Sequence, residues 1–335
     1  MDVLSDAIAS IRLGQPSSSR LYTHQRDWCT RLAPHFGAGF HIVLRGNCWV
    51  LPDQGDPVML GTGDAVLLPH GTGHVLSDRS IDAQTVAQAV PFEQWRAEQA
   101  SERSSDTVGF EALCGKYRLD RRGQHPLVAE LPAVIHLPAR TGDHRELRAA
   151  IDLLALEADE RRPGSCIAVP SLLDLLLVYM VRAWMTESRT GIWSAALTDP
   201  VTANALRALH TAPAASWSND RLATEAGVSR ATLTRRFATL VGQPPMGYLA
   251  WWRLTRAAAL LRDTTDPLSA IADQVGYATA YAFSNAFKKQ FGTSPGRYRH
   301  HGSAVAGPVD TPDSPQSSEE FHHLLDRVIT SDTVD

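Results

Sequence analysis

Two stretches in the C-terminal half of the chain repeat each other imperfectly: DRLATEAGVSRATLTRRFATLVGQPP and LSAIADQVGYATAYAFSNAFKKQFGTSP. Each carries an apolar residue followed by Ala (Leu222–Ala223, Ile271–Ala272), then a Gly (Gly227, Gly276), a Phe (Phe237, Phe287) and a closing Gly and Pro. This pattern restricts the fold tightly. A first helix must end in a turn whose next residue is left-handed, which Gly adopts without steric cost. Ala223 and Ala272 are small enough for two helices to cross closely. Ser229 can cap the second helix of the first copy, and the i, i+4 pairs Leu233/Phe237 and Phe283/Phe287 face a core. These are the requirements of a helix-turn-helix.

The segment joining the copies, Met246–Arg262, is amphipathic and as a helix spans ~25 Å at 1.5 Å per residue. That length suits holding two recognition helices roughly one DNA turn (~34 Å) apart, in successive major grooves. Charge agrees. Ala195–His300 carries twelve Lys or Arg against six Asp or Glu, whereas His301–Asp335 has seven acids and one base, Arg327. A basic region inside a chain of net charge −4 is a footprint expected of a nucleic-acid partner.

The N-terminal part has a different period. FHIVL, NCWVL, PVML and AVLLP are short apolar runs separated by PDQGD, GTGD and HGTGH, as in a small sandwich or barrel. Glu98–Thr107 is polar and reads as an exposed loop, and a further strand is expected around Ala112–Leu119. From residue 143 the apolar spacing becomes helical: Leu147, Ile151 and Leu154, then Leu173, Leu176, Leu177, Met180 and Trp184 beyond the break at RRPGS. The second stripe is wide enough to need burial on two sides; the second is expected from a two-fold partner, the other reading being that it packs on the C-terminal helical domain.

The fold class expected is therefore α+β: an N-terminal β-barrel plus helical hairpin, then an all-α domain with two helix-turn-helix motifs. The divisions fall at 1–190 (barrel about 20–140, hairpin 143–187), 195–300, and an acidic tail at 301–335 rich in Pro, Ser and Asp. Cys29, Cys48, Cys114 and Cys166 are too few and too scattered for a disulfide framework, which fits a reducing cytoplasm. MDVLSDAIASIRLG has no signal-peptide pattern. Leu172–Trp184, the most apolar stretch, contains Asp174 and Arg182 and reads as too short to span a bilayer. A cytoplasmic protein without a membrane partner is expected.

From Leu222 to Arg299 the spacing closely resembles the AraC/XylS family of bacterial transcription regulators. The resemblance implies seven helices, double-stranded promoter DNA as partner and RNA polymerase as a further one. It places base-facing positions at Ala231, Thr234 and Arg235 in the first recognition helix, and at Ala280, Tyr281 and Asn285 in the second. Arg235 suits the O6 and N7 of guanine. Asn285 stands where relatives often have Arg; it suits adenine with a shorter reach. Ser229, Arg230, Arg236, Thr279, Lys288 and Lys289 complete the DNA-binding set, the cations holding phosphates.

GDAVLLPHGTGH (Gly63–His74) matches the cupin pattern G-D-x-x-x-x-P-x-G-x-x-H, and residues 20–187 resemble the cupin-type sensors found in a subset of that family. Catalytic cupins usually present H-x-H and a following Glu. Here His41 stands alone in HIVLRGN, which argues against the alternative of a cupin-fold enzyme carrying a DNA-binding domain. The candidate effector or metal residues are His41, His74, Cys114 and His125. Imidazole and thiolate suit Zn²⁺, and core residues without a ligand are the other reading. Cys29, Cys48 and Cys114 would sense oxidants if one were a low-pKa thiolate. The function expected is a sequence-specific, dimeric DNA-binding regulator whose cupin-like domain senses a small molecule, a metal or an oxidant. An architectural protein that needs no ligand is a third reading.

Overall fold

A computed structural model describes residues 2–101, 109–119, 125–139, 144–159, 163–187 and 191–305. The N-terminal strands are β1 (Ser17–Thr23), β2 (Cys29–Leu32), β3 (Gly37–Arg45), β4 (Cys48–Pro52), β5 (Val58–Leu60), β6 (Ala65–Leu68), β7 (His74–Ser77), β8 (Val90–Pro91), β9 (Phe110–Arg118) and β10 (Ile135–Leu137). They do not close into the expected barrel. They form two five-stranded sheets, ordered β1-β9-β3-β6-β10 and β5-β4-β7-β2-β8. The chain changes sheet between β6 and β7, at the Pro-His-Gly-Thr-Gly turn of the cupin pattern. Side chains from both sheets, Val43, Val66 and Ala112 from one and Cys48, Val50 and Leu76 from the other, share one core. β3 is buried along both faces from Gly37 to Val43, because helices cover the side that the second sheet does not.

The periodicity does not reveal α1 (Val3–Ile11), capped by Asp2, which is one of those helices, nor α2 (Ala83–Ala87) and α3 (Phe92–Ser101), the latter placing Trp95 in the core between the sheets. The helix α3 takes up Glu98–Ser101 of the expected loop; the rest of that loop, to Thr107, lies outside the described residues. After α4 (Pro126–Ala129) come the hairpin helices α5 (Arg145–Asp159) and α6 (Ser165–Glu187). The Tyr117 hydroxyl of β9 donates to the Leu173 carbonyl at 2.7 Å and ties α6 to the sheet. At 23 residues α6 is long and apolar enough to cross a bilayer by length and composition, so the length expectation fails. Leu173, Leu176, Leu177, Met180 and Val181 are instead buried in the chain's own core.

The C-terminal helices are α7 (Ile192–Thr198), α8 (Pro200–Thr211), α9 (Asn219–Glu225), α10 (Arg230–Val241), α11 (Pro245–Asp263), α12 (Leu268–Gln274), α13 (Ala280–Phe291) and α14 (Pro295–Val305). Gly227 and Gly276 have φ of +69° and +85° after α9 and α12. A Cβ at Gly276 would also meet the Ala214 backbone at 2.7 Å, whereas Gly227 faces open space. Ser229 Oγ accepts from the Thr232 amide at 3.2 Å, and Thr279 Oγ1 from the Ala282 amide at 3.1 Å, so each second helix is side-chain capped.

Packing cuts across the expected division at 190. One core runs from α1, the outer face of the first sheet, α5 and α6 into α8, α9, α10 and the first half of α11, ending at Trp252. A separate core, from Leu254 to Tyr298, serves α12, α13 and α14. The acidic tail from Ala306 onward lies outside the described residues.

Candidate functional site

Aligned on their caps, the two second helices match Arg230, Ala231, Thr234 and Arg235 with Ala280, Tyr281, Ser284 and Asn285. The turn before α13 is one residue longer than the turn before α10, so counting from the glycines sets Thr234 against the buried Phe283; the Thr279 cap gives the register that matches Thr234 with Ser284. Leu233, Phe237, Phe283 and Phe287 are buried. The opposite faces are open: Ser229, Arg230, Ala231, Arg235, Arg236, Thr279, Tyr281, Asn285, Lys288 and Lys289 are exposed, and Thr234, Ala280 and Ser284 are partly so. Tyr281 is 78% exposed, unusual for so large an aromatic.

The cations fall into two groups. Arg230 pairs with Asp220 at 3.4 Å and Arg236 with Asp199 at 3.2 Å, both near the surface. Such pairs are worth little in water and release readily to a stronger anion. Among the described residues Arg235, Lys288 and Lys289 have no carboxylate partner. The first second-helix thus presents a free guanidinium, while the second presents an amide and two lysines.

In the N-terminal domain, antiparallel pairing of β3 with β9 sets His41 opposite Cys114. His41 Nδ1 lies 2.9 Å from Cys114 Sγ, and its Nε2 lies 2.7 Å from His74 Nε2 on the other sheet. His74 Nδ1 reaches the Thr72 carbonyl at 3.5 Å. One proton arrangement satisfies all three contacts: the Cys114 thiol donates to His41, His41 to His74 and His74 to Thr72. Burial holds His41 well below the ordinary histidine value, with the nearby His74 adding to the effect, and burial brings His74 down to about 4. Burial also pushes the Cys114 thiol up, Cys29 up, and Cys48 up to about 12. These directions run opposite to the low-pKa thiolate that oxidant sensing needs.

The Zn²⁺ reading fits poorly. Cys114 contacts the far nitrogen of His41, so one ion cannot meet Cys114 and both Nε2 atoms, whereas structural zinc takes four ligands and catalytic zinc three from protein. Among the described residues no group of three or more His, Cys, Asp or Glu is placed to hold a metal. Nor does His125 join this group. It caps α4, accepting from the Leu127 amide at 3.1 Å, and stands at the junction with the C-terminal helices, where its Nε2 is 3.1 Å from the Tyr248 hydroxyl.

A cupin family profile matches residues 2–186 and a helix-turn-helix domain profile residues 222–301. A putative AraC-like transcription regulator of Streptomyces lividans is 34% identical over 304 residues, covering 90% of this chain and 99% of that one. The HTH-type transcriptional regulator AlkR of Acinetobacter baylyi is 30% identical over 308 residues, 89% and 99% of the two chains. MtrA, an HTH-type transcriptional regulator of Neisseria gonorrhoeae, is 29% identical over 266 residues, 78% and 86%. The chain belongs to the AraC-like transcription regulators, in the group whose C-terminal DNA-binding region follows an N-terminal cupin domain.

Proposed function

We propose that this chain is a cytoplasmic regulator that binds double-stranded promoter DNA through both helix pairs, α9–α10 and α12–α13, within 195–300, and is governed by its N-terminal domain, 1–190. One observation carries the reading: each second helix is capped, buried on its aromatic face and open on the other, with Arg235, Lys288 and Lys289 unpaired among the described residues. Arg235 would read a base, and the lysines would hold phosphates. At 19 residues, α11 is ~28 Å long, which suits two successive major grooves.

The N-terminal domain is read as an effector sensor and not as an enzyme. The relatives carry regulator names, and the buried His41–His74–Cys114 group contains no carboxylate. A second copy is the expected partner, and RNA polymerase is met at the promoter. The surface for the second copy differs from the one the helical stripe suggests. Leu176 and Met180 are fully buried within the chain, whereas Leu153, Leu156, Ile167 and Leu175 are exposed on α5 and α6. Large apolar side chains left exposed on two packed helices favour association.

A genome-wide map of DNA bound by the full chain tests the function. Enrichment at discrete promoters sharing one motif is expected. Uniform low-level binding would overturn sequence-specific recognition.

A further inference from the structure

The junction between the N-terminal domain and the first helix pair holds a hydrogen-bonded chain of four side chains. Asp6 comes from α1, His210 from α8, Tyr248 from α11 and His125 from the cap of α4. His210 Nδ1 is 3.0 Å from Asp6 Oδ2 and its Nε2 is 2.6 Å from the Tyr248 hydroxyl, which is 3.1 Å from His125 Nε2. All four are buried. Trp252 stacks on His210 at 4.2 Å, and Trp193 and Trp251 close around His125.

The contacts leave one proton order. The Leu127 amide donates to His125 Nδ1, so the proton of neutral His125 sits on Nε2 and is donated to Tyr248. Tyr248 then donates to His210 Nε2, and His210 Nδ1 donates to the Asp6 carboxylate. Every bond points the same way, so one added proton disrupts the order. A proton on His210 Nε2 converts that atom from acceptor to donor. Tyr248 then faces two donors, and its own buried hydrogen loses its acceptor.

We propose that this chain is a proton-operated latch: with both imidazoles neutral it ties α1 and the His125 segment to α8 and α11, and protonation of His210 opens its Tyr248 side, freeing the His125 segment while the Asp6 bond becomes an ion pair. The inference rests on the regulator reading only in calling the joined parts sensor and DNA-binding region. The charges acting on His210 are Asp6 of α1, Asp2 at the cap of that helix and Arg256 of α11. Its neighbour α7 brings no charge, and the ionic groups of α9 and α10 lie on exposed faces. Burial lowers the proton affinity of both His210 and His125, and their proximity lowers that of His125 further, so the latch is closed at neutral pH. The second helix pair has a separate core and is not held by it.

Hydrogen–deuterium exchange on the full chain, corrected for intrinsic rates, tests the latch without DNA, so its failure leaves the DNA-binding reading standing. On going from about pH 7.5 to pH 5, residues 125–131 should exchange about ten-fold faster relative to α12–α13, while α1, held by the His210–Asp6 pair, changes little. Tyr248→Phe should show the fast exchange already at neutral pH. Asp6→Asn removes a charge that attracts the proton, so the midpoint should move to lower pH; a purely structural role would leave it in place. Exchange in residues 125–131 that ignores pH, an unmoved Asp6→Asn midpoint, or a Tyr248→Phe chain that matches the parent while folded would each overturn the latch.

Discussion

His41 and His74 stand on different sheets, yet their Nε2 atoms are 2.7 Å apart in the middle of the sandwich. One hydrogen bond between two neutral rings bridges the sheets there. Adding a charge to either ring would put a donor against a donor inside a core with little water.

Stability should therefore fall in acid. His41, His74, His125 and His210 are all held below the ordinary value of 6.5, by burial first. A group whose folded value is depressed takes up a proton more readily in the unfolded chain. Each such histidine costs nothing above its unfolded value and destabilises the fold as pH drops below it, by roughly 1.4 kcal/mol per pH unit until its folded value is reached. For His74 that window runs from 6.5 to about 4. Urea unfolding midpoints measured across this range should fall steadily, and a flat profile would show that these rings are not buried neutral.

Arg235→Ala should lose ~1–3 kcal/mol of specific DNA affinity and relax preference at one base pair. Lys289→Ala should weaken binding to every sequence and flatten its dependence on salt. Gel-shift titrations at two salt concentrations separate the two effects. Arg235→Ala with undiminished specific affinity would remove α10 from the groove.

The two halves of the DNA site should differ in information. Arg235 is a forked donor on α10, and its counterpart Asn285 on α13 is a shorter amide. Selection from randomised DNA should therefore return a more constrained half-site under α10. Equal constraint under α13 would mean that Tyr281 and Ser284 read bases as strongly.

The exposed apolar residues of α5 and α6 separate association from folding. Ile167→Asp, at a position 76% exposed, should shift a dimer toward monomer in light scattering while leaving thermal unfolding nearly unchanged. Leu176→Asp should instead destabilise the chain by several kcal/mol, because a carboxylate would enter a fully buried site. A monomeric parent at tens of micromolar would remove the dimer.

The C-terminal helices were readable residue by residue because their determinants are local. Gly227, Gly276 and Ser229 act within a few positions of themselves, and the Leu233/Phe237 and Phe283/Phe287 spacings are set by one helical period. The cupin turns from Gly63 to His74 were readable for the same reason. What depended on the third dimension was every relation between segments distant in sequence. His41, His74 and Cys114 lie together, but the ring of His41 stands between its two partners, an orientation in which one zinc cannot meet all three. His125 went to the other side of the domain, into a junction with Tyr248, His210 and Asp6 that no spacing announces. Leu176 and Met180, on the stripe that reads as an interface, are turned inward, since a helical period gives the width of an apolar face but not which neighbour covers it. Periodicity and turn chemistry act over a few residues, whereas burial, proton order and domain docking are settled only when distant surfaces exclude water from one another.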